Sequence, residues 1–213
     1  MSAKKTRPAK PKVVQRSAEQ HQARMKKIKV AMDKRIAEAN VDRGVVVLIT
    51  GNGKGKSSSG FGMVVRALGH GFKAGVVQFI KQANSCGEQL YLASREPNLQ
   101  QYAMDTGFTW DTQNKEADMA AAERSWAKAE LMLKDPSLSL VLLDELTYMV
   151  SYGYLDEKRI IDAIRARPPM QHVVITGRGA SEALVELADT VSEIHDVKHA
   201  FKAGVRAQKG VEY

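Results

Sequence analysis

The sequence predicts an α/β fold, with a mostly parallel sheet covered by helices on both faces. Short apolar runs rich in β-branched residues alternate along the chain with segments whose apolar residues recur at helical spacing. One junction, at residues 44–68, has the order buried strand, glycine-rich turn and helix, which a phosphate-binding loop requires. Ligands of such sheets bind beyond the carboxyl ends of the strands, so candidate site residues are expected there.

The glycine-rich turn makes the predicted fold P-loop NTPase-like, of the RecA-like kind. Glycines let backbone N–H groups converge on a phosphate, and the following helix adds its positive end. The usual pattern has glycine five residues before Gly55, where this chain has Thr50, so a turn that binds nothing is the alternative. Lys56 offers a cation to phosphate oxygens, and Ser57 offers a hydroxyl to a magnesium ion. The predicted nucleotide-binding residues of the loop are Gly51, Asn52, Gly53, Lys54, Gly55, Lys56, Ser57 and Ser58.

The other elements follow the same alternation. The helix predicted near 156–166 is expected to stop at Arg167-Pro168-Pro169, because the residue before a proline disfavours helical geometry. Strands are predicted at 44–50, 74–79, 98–103, 138–143, 172–176 and 190–195, and helices at 55–69, 86–95, 116–134, 156–166 and 181–188.

The chain divides into three predicted regions. Residues 1–16 are Lys/Pro-rich and are expected to be disordered. Residues 17–43 contain an apolar stripe at helical spacing among lysines and arginines, formed by Met25, Ile28, Met32 and Ile36. This amphipathic helix is interpreted either as packing on its own domain or as covering a site or a partner subunit. Residues 44–213 form the phosphate-loop domain.

Composition and charge exclude several classes of protein. The net charge is +8, but residues 1–43 carry 13 Lys/Arg against 4 Asp/Glu, whereas residues 44–213 carry 19 against 20. The nucleotide-binding body therefore has no overall basic excess, and nucleic-acid binding is not expected. No apolar run reaches the length of a membrane span. A single cysteine, Cys86, excludes an intrachain disulfide and fits a cytoplasmic location.

An apolar strand ends in two acids, Asp144 and Glu145. A carboxylate at that place could bind the magnesium ion of a nucleotide triphosphate opposite the lysine loop. Successive residues of a strand point to opposite sides, so one acid is expected to face the ion and the other a helix. The alternative is an acid that caps the next helix.

Arg178 is the candidate cation of a second loop, and Arg66 a candidate three turns along the helix that follows the phosphate loop. Arg178 follows a predicted strand, as do Gln78 and Lys81, so the three are expected on one rim of the sheet. A solvated loop position is the alternative for each, and a surface ion pair is the alternative for Arg66.

Phe108 and Trp110 stand two residues apart in a polar loop, which is not the spacing of a helical core stripe. They are interpreted either as an apolar wall for a large planar ligand or as anchors that pack the loop onto the domain. The histidines and Cys86 do not have zinc-ligand spacing.

Several longer stretches resemble the ATP:corrinoid adenosyltransferases of the CobA/CobO/BtuR type. The resemblance runs from about residue 18 to the end of the chain and includes the off-register phosphate loop. The stretches that carry it are TGNGKGKSS (50–58), RALGHG (66–71), QFIK (78–81), GFTWDTQ (107–113), LLDELTY (142–148), ITGRGA (175–180) and VKHAFKAGVRAQKGVEY (197–213).

The resemblance implies transfer of the 5′-deoxyadenosyl group of ATP to the Co(I) of a reduced corrinoid, with release of triphosphate. Ser57 and Glu145 align with positions that contact Mg²⁺, for which Mn²⁺ could substitute, and Lys56 would neutralise the leaving triphosphate. Phe108 and Trp110 align with aromatics below the corrin that favour a cobalt without its lower ligand. Reduced flavin or flavodoxin is the implied electron donor, and the N-terminal helix would cover the corrinoid site in a homodimer.

Two departures accompany the resemblance, since Lys56 is followed by Ser57-Ser58 where the family usually has threonines, and Gln82 replaces a common glycine. Two other functions compete with the adenosyltransferase. One is a P-loop ATPase or kinase acting at the γ-phosphate, and the other is a nucleic-acid-binding module that uses the basic N-terminal arm.

Overall fold

The computed structural model describes residues 17–80, 86–104 and 114–212. The chain forms two compact units, Met1–Asp42 and Arg43–Tyr213. The first unit contains helix α1, Ala18–Glu38. Ser17 and Gln20 form a reciprocal capping box at its start, which satisfies amide groups that lack helical partners. The apolar stripe of α1 is exposed, with Met25 at 50% and Ile28 at 41%.

The second unit is built on a six-stranded sheet. The strands are β1 (Val46–Thr50), β2 (Lys73–Gln78), β3 (Leu99–Ala103), β4 (Leu138–Asp144), β5 (His172–Thr176) and β6 (Thr190–Glu193). They lie in the order β3-β2-β4-β5-β1-β6, and every observed pairing is parallel. The P-loop NTPase-like α/β fold predicted from the sequence is therefore confirmed.

An α-helix follows each of β1 to β5, because parallel strands need crossover connections. These α-helices are α2 (Lys56–Gly69), α3 (Gly87–Ala93), α4 (Lys115–Lys134), the consecutive pair α5 (Leu146–Ser151) and α6 (Glu157–Arg165), and α7 (Glu182–Leu187). A short 3₁₀ helix, Phe201–Ala203, follows β6. The predicted strands and long helices are confirmed to within a few residues, but the short helix α5 was not predicted. Within the described ranges, every helix is too short or too polar to cross a bilayer.

Both faces of the sheet are buried. Neighbouring residues of one strand belong to two separate apolar clusters, one on each face. Leu143 packs with Trp126 of α4 on one face, whereas Leu142 packs with Phe61 and Val64 of α2 on the other. This explains the continuous apolar runs in the sequence, since strands covered on both sides need no polar alternation. The sheet thereby holds the carboxyl ends of β1, β4 and β5 side by side.

Candidate active site

The turn after β1 is held against the end of β6. Gly53 N–H donates to the carbonyl oxygen of Ile194 at 2.7 Å, and Ile194 N–H donates to Thr50 O at 2.8 Å. A Cβ on Gly51 would lie 2.5 Å from Ile194 O, and one on Gly53 would lie 2.7 Å from His195 O. The glycines in the unusual middle of the loop are therefore required by the close approach of the backbone just after β6.

Gly55 has a different role, because it caps α2 with φ +113° and faces open space. Next to it, Lys56 begins the helix, and its Nζ donates to Gly53 O at 2.6 Å. Burial lowers the pKa of the Lys56 ammonium, and Arg178 and Lys54 lower it further, whereas Glu145 and Asp144 raise it. A half-buried cation at a helix N-terminus is a favourable partner for phosphate oxygens.

A cavity of about 430 Å³ opens in front of this loop. Predicted residues that follow three different strands meet there. Lys56 follows β1, Glu145 follows β4 and Arg178 follows β5. The cavity wall presents side-chain oxygens that can bind a metal ion as well as lysine and arginine side chains. This combination suits a polyphosphate with its counter-ion. Its lining includes Gly53, Lys54, Gly55, Lys56, Ser57, Ser58, Glu145, Tyr148 and Arg178.

The two acids at the end of β4 have different environments. Asp144 is fully buried, and its carboxylate accepts hydrogen bonds from Thr176 Oγ1 at 2.6 Å and Gln78 Nε2 at 3.0 Å. Glu145 is half-buried and lines the cavity. The cause of this difference is not the alternation of a strand, because β4 ends at Asp144 and Glu145 is the left-handed residue that precedes α5. Asp144 is not among the residues that line the cavity.

Arg178 and His199 also line a second, adjacent cavity of about 810 Å³. Its wall includes Asn52 and charged side chains of both signs from the end of β6 and the chain that follows it, among them Glu193, Asp196 and Lys202. Asp196 pairs with Lys202, which lowers the pKa of the Asp196 carboxyl. The two cavities therefore adjoin each other at Arg178 and His199.

The C-terminal segment reaches the phosphate loop, which sequence reasoning did not predict. Glu212 accepts from Lys54 Nζ at 2.5 Å, and Gly210 and Val211 line the first cavity beside it. Thr176, Tyr148 and His199 were also missed as site residues. For Thr176 the sequence did contain a signal, because Thr176 is a polar residue at the carboxyl end of an apolar strand, as Gln78 and Asp144 are.

Replacing Glu212 by glutamine is expected to raise affinity for inorganic tripolyphosphate about two- to fivefold at low salt, since an exposed pair contributes modestly. The change frees Lys54 to face the anion, and the gain should shrink as added salt screens the charges. Calorimetric titration at two salt concentrations measures the tripolyphosphate affinities of the variant and the wild type. Glu186→Gln, on the exposed surface of α7, is the matched control. Equal or weaker binding by the Glu212 variant would contradict the expectation.

The remaining predicted site residues have other positions. Arg66 lies in the last turn of α2, about 15 Å from Lys56 along the helix axis. It is exposed and does not line either cavity. Phe108, Trp110 and Lys81 lie outside the described residues. Gln78 reaches the strand rim as expected, but it binds Asp144 inside the protein.

The parallel sheet and the glycine-rich loop at the end of β1 define a protein of the P-loop NTPase-like class. A solved structure, the flagellar accessory protein FlaH from Methanocaldococcus jannaschii, shares this fold with a TM-score of 0.50 over 76% of each chain at 12% identity. Residues 42–213 match the family of ATP:corrinoid adenosyltransferases BtuR/CobO/CobP. This chain belongs to that family.

Relatives with established names span nearly the same length. The chain is 52% identical over 195 residues to the corrinoid adenosyltransferase of Pseudomonas aeruginosa, covering 92% of this chain and 96% of the relative. It is 51% identical to that of Escherichia coli K12, covering 92% of this chain and all of the relative. The corrinoid adenosyltransferase of a Sinorhizobium species is 42% identical, covering 91% of each chain.

Proposed function

We propose that this protein transfers the 5′-deoxyadenosyl group of ATP to the Co(I) of a reduced corrinoid and releases triphosphate. The observation that carries this function is the family match, which covers all six strands and both loops of the first cavity. In the reaction, the cobalt electron pair attacks C5′, and the C5′–O bond breaks with its electrons remaining on the triphosphate. The protein therefore needs to supply orientation and charge stabilisation rather than a nucleophile.

The first cavity suits a triphosphate leaving group. Lys56 and Lys54 belong to the loop, and Arg178 approaches from the end of β5, so cations surround the site from two elements. The N–H groups at the start of α2 add donors without needing to move. We assign the loop residues and Arg178 to triphosphate binding, with C5′ directed toward the second cavity. Charge that develops on the departing oxygen is then stabilised in place.

The same wall fits Mg²⁺, with Mn²⁺ as a substitute, because Ser57 and Glu145 present a hydroxyl and a carboxylate to one cavity. Hard cations of this kind take oxygen ligands and commonly share them with substrate phosphates. Bound there, the ion would withdraw charge from the triphosphate. Asp144 would contribute from behind, by holding neighbouring groups rather than by facing the cavity.

The decisive experiment is a product assay with ATP and a chemically reduced corrinoid. Adenosyl transfer predicts triphosphate and an adenosylated corrinoid in equal amounts. A P-loop ATPase or kinase predicts ADP instead, so corrinoid-dependent ADP without triphosphate would overturn the proposed function. Repeating the assay with complete cobalamin, cobinamide and an a,c-diamide intermediate would identify the preferred corrinoid.

The family resemblance supports further assignments. We propose a cytoplasmic homodimer that receives electrons from reduced flavin or flavodoxin. The exposed apolar stripe of α1 is the segment assigned to covering the corrinoid. Deleting residues 1–42, which leaves the ion pair between Arg43 and Asp189 intact, should then weaken corrinoid binding while triphosphate binding to the loop is retained. Equal loss of both would contradict the assignment.

Trp110→Ala is expected to impair adenosylation from Co(II) at least about tenfold more than adenosylation from pre-reduced Co(I), since about 1.4 kcal/mol of altered cobalt coordination would give that factor. The proposed reason is that Trp110, with Phe108, favours a cobalt lacking its lower ligand, which eases its reduction. Parallel assays with the two oxidation states measure the ratio, and thermal unfolding of both proteins provides the control. Equal losses in the two assays would assign Trp110 to loop packing.

A further inference from the structure

Glu145 has an unusual backbone for a functional acid. Its φ is +63°, and it is the one non-glycine residue with positive φ in the described part of the chain. This left-handed geometry crowds Cβ against the backbone, so surrounding contacts must maintain it. The Glu145 N–H donates to Thr176 Oγ1 at 2.9 Å. A side chain from the next strand therefore holds the acid in the conformation that lines the cavity.

Thr176 is itself oriented by a buried chain of hydrogen bonds. Thr176 Oγ1 donates its hydrogen to Asp144 Oδ1, and the two oxygens are 2.6 Å apart. A lone pair of Thr176 Oγ1 then accepts the Glu145 N–H. The other oxygen of Asp144 accepts from Gln78 Nε2, and Gln78 accepts from Gln89. Gln78, Asp144 and Thr176 are at most 1% exposed. Buried polar chains that are satisfied in this way favour a single arrangement.

A second threonine, Thr147, connects the same two loops from the other side, because it follows β4 and contacts the loop after β5. Thr147, in the first turn of α5, donates from Oγ1 to the carbonyl oxygen of Arg178 at 2.7 Å. Gly177 has φ +142°, and a Cβ there would lie 2.0 Å from Thr147 Oγ1. The loop after β5 can therefore approach Thr147 only because residue 177 has no side chain. The backbone of Arg178 is held by a residue that follows β4.

We propose that Thr176 and Thr147 are positioning residues that form a reciprocal clasp between the two loops. Thr176 of the β5 end positions Glu145, and Thr147 of the β4 side positions Arg178. Neither threonine lines the cavities, so each acts through the residue that it holds. The inference rests on the proposed roles of Glu145 in metal binding and Arg178 in triphosphate binding. It explains how one anion and one cation on separate strands keep a fixed separation across the site.

The test compares Thr176→Val, which removes the hydroxyl while keeping its shape, with Thr176→Ser, which keeps the hydroxyl. Mn²⁺ affinity in the presence of ATP is measured from the electron paramagnetic resonance signal of free Mn²⁺. Thr176→Val should bind Mn²⁺ at least about tenfold more weakly, as loss of a supporting contact to a ligand commonly does. Thr176→Ser should stay within about threefold of the wild type on the same scale.

Thr147→Val and Thr147→Ser give the complementary measurement, the affinity for inorganic tripolyphosphate in excess EDTA. The valine variant should bind at least about fivefold more weakly, whereas Thr176→Val should change this metal-free affinity little. A purely structural role would lower the melting temperature of both valine variants and leave both affinities of the folded protein unchanged. That result would overturn the clasp.

Glu145→Gln and Arg178→Gln separate this inference from the proposed function. If Glu145→Gln weakens Mn²⁺ binding and Thr176→Val does not, the clasp is wrong and the metal role stands. If Glu145→Gln leaves Mn²⁺ affinity unchanged, the metal role is wrong and the clasp fails with it. If Arg178→Gln weakens tripolyphosphate binding and Thr147→Val does not, the clasp is wrong and the triphosphate role of Arg178 stands. If Arg178→Gln leaves that affinity unchanged, the triphosphate role is wrong and the clasp fails with it. If Thr176→Val does not fold, amide exchange of wild-type Glu145 decides, and exchange as fast as in an unfolded peptide would overturn the clasp.

Discussion

Replacing Lys56 by alanine is expected to lower kcat/KM for adenosyl transfer by roughly 100-fold or more, the usual loss when one preorganised charge stabiliser is removed. The ammonium of Lys56 is half-buried at the start of α2 and lies 2.6 Å from Gly53 O. Water that replaces it would neutralise the departing triphosphate less well, because water must reorganise as the charge develops. The measurement is triphosphate release with pre-reduced corrinoid, so that the reduction step does not limit the rate.

Lys54→Ala is the matched control for Lys56→Ala, because both lysines line the first cavity. Lys54 is already paired with Glu212 and its side chain is 43% exposed, so its loss should cost much less. Thermal unfolding should show both variants folded. Activity of Lys56→Ala within about threefold of the wild type would contradict the assignment of Lys56 to transition-state stabilisation, which requires a far larger loss.

Glu145→Gln is expected to raise the Mg²⁺ concentration needed for half-maximal activity by roughly 10- to 100-fold, in the range that loss of a metal-supporting group costs. Glutamine keeps the size and shape of the side chain and removes its negative charge. Saturating Mg²⁺ should restore part of the activity, because Ser57 and the triphosphate oxygens would still contribute ligands. Initial rates over a range of Mg²⁺ concentrations at saturating ATP give both values.

Glu88→Gln provides the control for Glu145→Gln, since Glu88 also lines the first cavity and is half-buried. It belongs to α3, whereas Ser57 lies in the first turn of α2 and Glu145 follows β4. A similar rise in the Mg²⁺ requirement for both variants would mean that general cavity charge, rather than ligation by Glu145, attracts the ion. An unchanged requirement in Glu145→Gln would remove Glu145 from the metal site.

Much of the fold could be predicted because it depends on local patterns. Continuous apolar runs predicted buried strands, and the glycine-rich turn before a helix located the phosphate loop at Lys56. The order of the strands could not be predicted, because β1 pairs with β5 and β6, which lie more than 100 residues away in the chain. The short helix α5 was missed, because six residues give too little periodicity to recognise.

The candidate site likewise contains some residues that the sequence predicted and others that it did not. Lys56, Ser57, Glu145 and Arg178 were predicted to meet, because parallel strands bring their carboxyl ends to one edge. Glu212 could not be predicted to reach Lys54, since 158 residues separate them and no local pattern links them. The placement of Arg66 likewise needed the structure, because the direction of a helix away from its own phosphate loop decides what its far end can contact.

The sequence by itself determined the chemistry that this protein has available: a phosphate loop, an acid pair after an apolar strand, and a second basic loop. Tertiary structure alone decided how these groups are presented. The glycines in the unusual middle of the loop accommodate the backbone just after β6. Glu145 adopts φ +63°, and its N–H donates to a threonine of β5. Residue types specify which interactions a side chain can make, whereas close approaches between distant segments specify which of them it does make.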